Sequence, residues 1–114
     1  VGLGVMLPGV VLDGHQVETE LGVLQGRIPR DMAPDEPVEI LVRPDNVLHN
    51  DESSRLARIE RRQFRGAEFL YDLRLASGAK LLCLASSHHD HAVGPHIGVE
   101  IRMEYLVVLR RGVS

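Results

Sequence analysis

The feature that most limits what this chain can fold into is a period of two in its apolar residues. In Phe69-Leu70-Tyr71-Asp72-Leu73-Arg74-Leu75, positions 69, 71, 73 and 75 are large and apolar while 72 and 74 are charged, the pattern of a strand with one dry face. Val99-Glu100-Ile101-Arg102-Met103-Glu104 alternates without a fault, Val38–Arg43 nearly so, and Val17–Leu21 repeats the pattern. Glycine supplies the punctuation. Gly14 separates residues 9–12 from 15–19, and Ser77-Gly78 separates 67–75 from 79–85, each reading as a hairpin. No long segment combines helical spacing with a cap at both ends. The nearest, Asn50–Arg62, has candidate caps in Asp51 and Ser53 but too thin an apolar stripe to bury. Short strands with Gly and Pro turns predict a small all-β barrel.

At 114 residues the expectation is one domain around one core. A hydrophobic fraction of 44% and a charged fraction of 25% exclude a disordered or collagen-like chain. Aromatics make up only 4%, with no Trp, which argues against a base-stacking surface or an aromatic ligand cage. The net charge of −3 gives no global attraction to nucleic acid or to an anionic membrane. The apolar opening, Val1–Leu12, is interrupted by Pro8 and is too short for a spanning helix; no basic leader is visible. The chain starts on Val1 in mid-pattern, which suggests a piece of something longer. Arg30–Pro37, with two prolines and three acids, reads as a long loop inside one fold, and His49–Ser54 as a second polar loop.

Candidate chemistry is sparse. Gly9–Gln16 has the glycine spacing of a phosphate-binding loop, but His15 and Gln16 occupy its Lys and Ser/Thr positions and the chain continues as a strand, so Gly9 and Gly14 read as turn residues. Four of the six histidines fall between Ser86 and His96. A metal would use His89 and His91 with His88 or His96, yet no Cys pair or His-Glu partner elsewhere completes a zinc pattern. A nucleophile built from Ser86 or Ser87, His89 and Asp90 needs members from separate elements. The plain reading is a polar connection between strands 79–85 and 97–104. Arg55, Arg58, Arg61, Arg62 and Arg65 place five cations in eleven residues, a pattern that suits a solvated or protein-facing strand and, failing that, contact with phosphates. Asp35-Glu36 and Asp51-Glu52 lack apolar surroundings for acid–base work. Cys83, the only cysteine, sits in Leu81–Ala85 and reads as a buried, inert thiol.

Leu41-Val42-Arg43-Pro44-Asp45-Asn46-Val47 resembles the Val-Arg-Pro-Glu motif that opens the transport-associated OB (TOBE) domain at the C-terminus of ABC importer ATPases. Phe64-Arg65-Gly66, the Tyr-containing strand 69–75, Gly94, Gly98–Ile101 and Leu106–Leu109 follow in that family's order, over residues 38–110. Leu7-Pro8-Gly9 and Thr19-Glu20-Leu21-Gly22 resemble the joining segment of ferric-ion importers, as does the His88–Gly94 turn. Asp45 departs from the usual Glu. The Walker motifs, signature sequence and switch histidine of the ATPase are absent.

The resemblance implies an OB-like barrel or sandwich of antiparallel strands spanning 1–114, with residues 1–30 as a joining hairpin and 38–110 as the core. It implies a non-catalytic regulatory domain of an iron(III) importer, with ATP and magnesium held upstream. The implied partners are the ATPase domain, a second copy of the subunit and, indirectly, a permease at the inner face of the membrane. Arg43, Asp45, Arg58 and Arg62 are the candidate interface residues; no catalytic or cofactor-binding residue is expected. Two other readings stay open. One is an OB-fold nucleic-acid binder, and the other is an oxyanion sensor of the molybdate or sulfate type, known among related transport-associated barrels.

Overall fold

A computed structural model describes residues 4–86 and 96–111. Among the described residues the regular structure is ten strands and one 3-10 turn: β1 Val5–Asp13, β2 Gln16–Thr19, β3 Gly22–Gln25, β4 Pro37–Val42, the turn Pro44–Asn46, β5 Val47–His49, β6 Leu56–Arg65, β7 Glu68–Leu75, β8 Lys80–Ser86, β9 His96–Ile101 and β10 Val108–Arg110. They form two five-stranded sheets, ordered β10-β4-β1-β2-β3 and β5-β9-β6-β7-β8. The all-β reading of the alternating sequence, and the OB-like arrangement that the family resemblance implied, are what the structure has. The chain divides into two compact units, Val1–Val5 with Val42–Arg102, and Met6–Leu41 with Met103–Ser114.

The unit built on residues 6–41 is a meander extended by the end of the chain. Asp13 pairs with Gln16 across the expected Gly14 turn, and the His15 N–H donates to Asp13 Oδ1 at 2.8 Å. Thr19 closes the next turn, its Oγ1 donating to the Gly22 carbonyl at 2.8 Å and accepting from the Leu21 N–H at 3.1 Å. These bonds satisfy a hydroxyl that is buried in the fold. Alternation places Leu7, Val11, Val17, Leu24, Val38, Ile40 and Val108 inside, each contributing roughly 1.5–3 kcal/mol by burial. Gly9 is not a turn residue, contrary to the sequence expectation. It lies within β1 opposite Thr19, where a Cβ would stand 2.7 Å from Val17 Cγ1; glycine lets the strands approach.

The 30–37 loop is pinned to this sheet. Asp35, at φ 70°, donates its N–H to the Val11 carbonyl at 2.7 Å, and the Val11 N–H reaches the Glu36 carbonyl at 3.0 Å. Arg110, on β10, holds the Glu36 carboxylate at 2.8 Å and Asp31 through both its carboxylate and its carbonyl, at 3.0 and 2.7 Å. Its guanidinium hydrogen bond, with a backbone bond from Ala33, holds the Glu36 carboxyl below its ordinary value of 4.5.

The unit of residues 42–102 closes on itself. The sheet's two edge strands, β5 and β8, approach closely enough for the Cys83 thiol to donate to the Val47 carbonyl at 3.1 Å, so the strands curl into a barrel. Tyr71, Leu73, Ile59, Leu81, Val47 and Val99 fill it. The Ser77-Gly78 turn forms as read, with the Gly78 N–H on the Leu75 carbonyl at 2.9 Å. The loop after β5 crosses over β9, with the Asn50 N–H on the Gly98 carbonyl at 2.8 Å and Ser53 Oγ on that of Val99 at 2.7 Å. A Cβ on Gly98 would collide with the Asn50 carbonyl oxygen. Two extents differ from the alternation. Strand β9 stops at Ile101 rather than 104, because the Arg102 N–H turns to the Asn46 carbonyl at 2.8 Å and Asn46 Nδ2 returns to the Arg102 carbonyl. Strand β3 and the three-residue β5 were not distinguished by their pattern, being too short to show one.

Candidate functional site

Strand β6 carries four of the arginines singled out in the sequence, and the register decides where they go. Arg58 pairs with Arg74 on β7 and with His96 on β9, and Arg74 pairs in turn with Lys80 on β8. Directly paired residues share a face. Four basic side chains therefore form one row across four strands, about 14 Å long at the usual strand spacing, backed by the buried Ala57, Ile59, Leu73, Leu75, Leu81 and Ile97. Only Arg74 has a carboxylate, Glu60 at 3.1 Å. Arg58, Lys80 and His96 have none among the described residues. Like charges set directly opposite one another cost a sheet roughly 0.2–1 kcal/mol per pair. The row is a concentrated cationic face on a chain of net charge −3.

Arg62 is not in that row. A bulge between Ile59 and Arg61 shifts the register, so that Arg62 stands opposite the buried Tyr71. Its guanidinium lies over the Phe69 ring at 4.9 Å, beside an edge-on Phe64–Phe69 pair whose centroids are 5.4 Å apart. Arg58 and Arg62, four apart and so on one face of any regular strand, here face opposite ways. Beyond the bulge every residue from 60 to 65 is exposed, with Phe64 62% accessible. Arg43 and Asp45 sit at the 3-10 turn instead. The Arg43 N–H is held by Asn46 Oδ1 at 2.9 Å and its carbonyl by the Asn46 N–H, with both charged side chains exposed. No strand pairing or hydrogen bond joins them to the row.

Of the metal candidates, His89 and His91, with His88, lie outside the described residues, as do Ser87 and Asp90. His96 is exposed on β9, in the basic row. Among the described residues no cluster of three or more His, Cys, Asp or Glu has metal-binding geometry. Cys83 is buried as expected, and desolvation pushes its thiol up to about 11.

The other unit holds a concave feature the sequence did not signal. Gly14 and His15, from the β1–β2 turn, form one wall of a cleft of about 800 Å³, and Arg27, Arg30 and Met32 form the other. Two backbone bonds hold the walls together, from the Gly26 N–H to the His15 carbonyl at 2.9 Å and from the Ile28 N–H to the Gly14 carbonyl at 3.2 Å. No acidic side chain lines it. Two arginines three apart beside Gly26 and Pro29 are too common a pattern to mark a site, and only the fold brings His15 to them.

No curated protein sequence matches the chain. Its fold is similar to that of the cytoplasmic molybdate-binding protein ModG in a molybdate-bound crystal structure, with a TM-score of 0.74, 13% sequence identity, and 93% of this chain and 95% of that one covered. The sequence model of the TOBE domain matches residues 40–109, which include the Arg43–Asp45 motif, the whole basic row and the first two residues of β10. The chain belongs to the TOBE domain family.

Proposed function

We propose that this chain is a non-catalytic, oxyanion-binding regulatory domain whose ligand belongs to the molybdate–sulfate class, and that it works in the cytoplasm. The observation that carries this reading is the likeness, over almost the whole of both chains, to a protein with molybdate bound. The cationic surfaces add to it. A tetrahedral dianion is recognised by guanidinium and backbone N–H donors, and each unit of this chain presents basic side chains without carboxylate partners. The ferric-ion importer suggested by the joining segment and the histidine turn finds no support in either comparison, so the oxyanion alternative replaces it. Attachment to the ATP-binding subunit of an importer stays part of the proposal. There the bound ion would bias the open–closed equilibrium of the ATPase pair by as much as its affinity differs between the two states.

Thermal denaturation of the chain with molybdate, tungstate, sulfate or phosphate tests this. A ligand at a hundred times its dissociation constant adds about 2.7 kcal/mol, which raises the melting temperature of a chain this size by roughly 10 °C. If no oxyanion moves the melting temperature at millimolar concentration, the chain is not an oxyanion-binding domain.

A further inference from the structure

We infer that the oxyanion site of this chain is the cleft between the β1–β2 turn and the segment after β3, with Arg27, Arg30 and His15 as its ligands; this rests on the oxyanion reading above. Arginines of this chain are of two kinds, those tied to a carboxylate and those that, like Arg58, have none among the described residues; what sets Arg27 and Arg30 apart within the second kind is the cleft they line together. Arg74 is tied to Glu60 at 3.1 Å, Arg102 reaches Glu100 at 3.5 Å, and Arg110 takes both Glu36 and Asp31. Arg27 and Arg30 are joined to no carboxylate among the described residues, although acids outnumber basic residues in the sequence. The two acids adjacent in sequence to the cleft's lining residues each hold a hydrogen-bond donor. Asp13 accepts the His15 N–H at 2.8 Å, and Asp31 is held by Arg110. Neither lines the cleft. The backbone N–H groups of Arg27 and Arg30 also form no hydrogen bond within the described residues.

The cleft is built rather than incidental. Its walls are bonded to each other through Gly26 and Ile28, and the turn behind Arg30 is closed by the Met32 N–H on the Pro29 carbonyl at 3.1 Å. Ile28 is buried between the two arginines, which fixes the segment that bears them. At about 800 Å³ the space exceeds a free tetrahedral ion and falls within the range of small-molecule pockets. The shared chemistry is a tetrahedral oxyanion, either free or as the head group of a larger phosphomonoester.

The test is isothermal titration of the intact chain with molybdate, sulfate and glucose 6-phosphate. It compares wild type, the Arg27→Gln/Arg30→Gln double variant and Arg102→Gln as a control. Both arginines are exposed, so equal melting temperatures without ligand will show that the double variant folds. The expected result is wild-type binding that weakens at least about tenfold in the double variant, the loss of one or more charge-assisted hydrogen bonds, and is unchanged in Arg102→Gln. If the double variant binds molybdate as wild type does, the cleft is not the site while the oxyanion reading stands. If only glucose 6-phosphate binds, and does so through Arg27 and Arg30, the cleft assignment stands and the free-oxyanion reading falls. No binding by wild type to any of the three overturns both.

Discussion

At the scale of single residues, the environment of Cys83 shows how burial sets chemistry. Its sulfur lies inside the barrel of residues 42–102, donates to the Val47 carbonyl at 3.1 Å, and is pushed up to about 11 because the interior penalises the thiolate. The folded chain should therefore resist iodoacetamide at about pH 8, where an ordinary thiol of pKa about 8.5 reacts. Labelling should appear only on unfolding in urea, followed by mass spectrometry. Rapid modification of the native chain would show that β5 and β8 part more readily than their contact indicates. Gly98 is the complementary case, a position where the absence of a side chain is what counts, since the Asn50 carbonyl occupies the place of its Cβ. The sequence showed Gly98 as one more glycine, and nothing local distinguished it from the Gly14 turn.

At the scale of elements, the bulge in β6 is the decisive irregularity. Before it, Ala57 and Ile59 point into the barrel and Arg58 points out; after it the phase reverses and Arg62 stacks on Phe69. An extra residue in one strand moves every later side chain to the other face, and a run of charged residues has no apolar alternation by which to locate the slip. The outward row His96–Arg58–Arg74–Lys80 follows from three pairings. One of them was readable, since a turn centred on Ser77-Gly78 sets Arg74 against Lys80. The other two depend on β9 returning beside β6 from a distant part of the chain.

Because the row sets like charges opposite one another, Arg58→Thr should stabilise the free domain by roughly 0.2–1 kcal/mol. The gain should shrink as salt is raised toward about 1 M, where the Debye length falls to about 3 Å. Urea midpoints at two ionic strengths measure this. A loss of stability at low salt would mean that Arg58 holds the sheet together instead of straining it.

At the scale of the whole molecule, the unit of residues 6–41 is completed by residues from 103 onward, and Arg110 is the tie. Its partners Glu36 and Asp31 lie 74 and 79 residues away in sequence. Arg110 lowers the Glu36 carboxyl below 4.5, so the unfolded chain takes up that proton more readily than the folded one. The contribution is fully present above about pH 4.5 and is lost as pH falls through the depressed folded value. Glu36→Gln should flatten the acid side of the stability curve as pH falls below about 4.5 while leaving its slope near neutrality unchanged. Urea unfolding followed across that range gives the slopes, and an identical acid slope in the variant would remove Glu36 from the acid response.

The sequence by itself determined the architecture. A period of two over several segments, with Gly and Pro between them, is compatible only with strands that bury one face, and burial of apolar surface is the largest favourable contribution available to a chain of this size. It also determined the family, because residues 40–109 retain its ordered punctuation. The tertiary structure decided the candidate sites. Whether Arg58 meets Lys80 or Arg62, and whether His15 meets Arg27 and Arg30, depends on register, on one bulge and on which strands return to lie side by side. Those are properties of long-range pairing, which leaves no periodic trace in polar residues since water satisfies them equally well in any order.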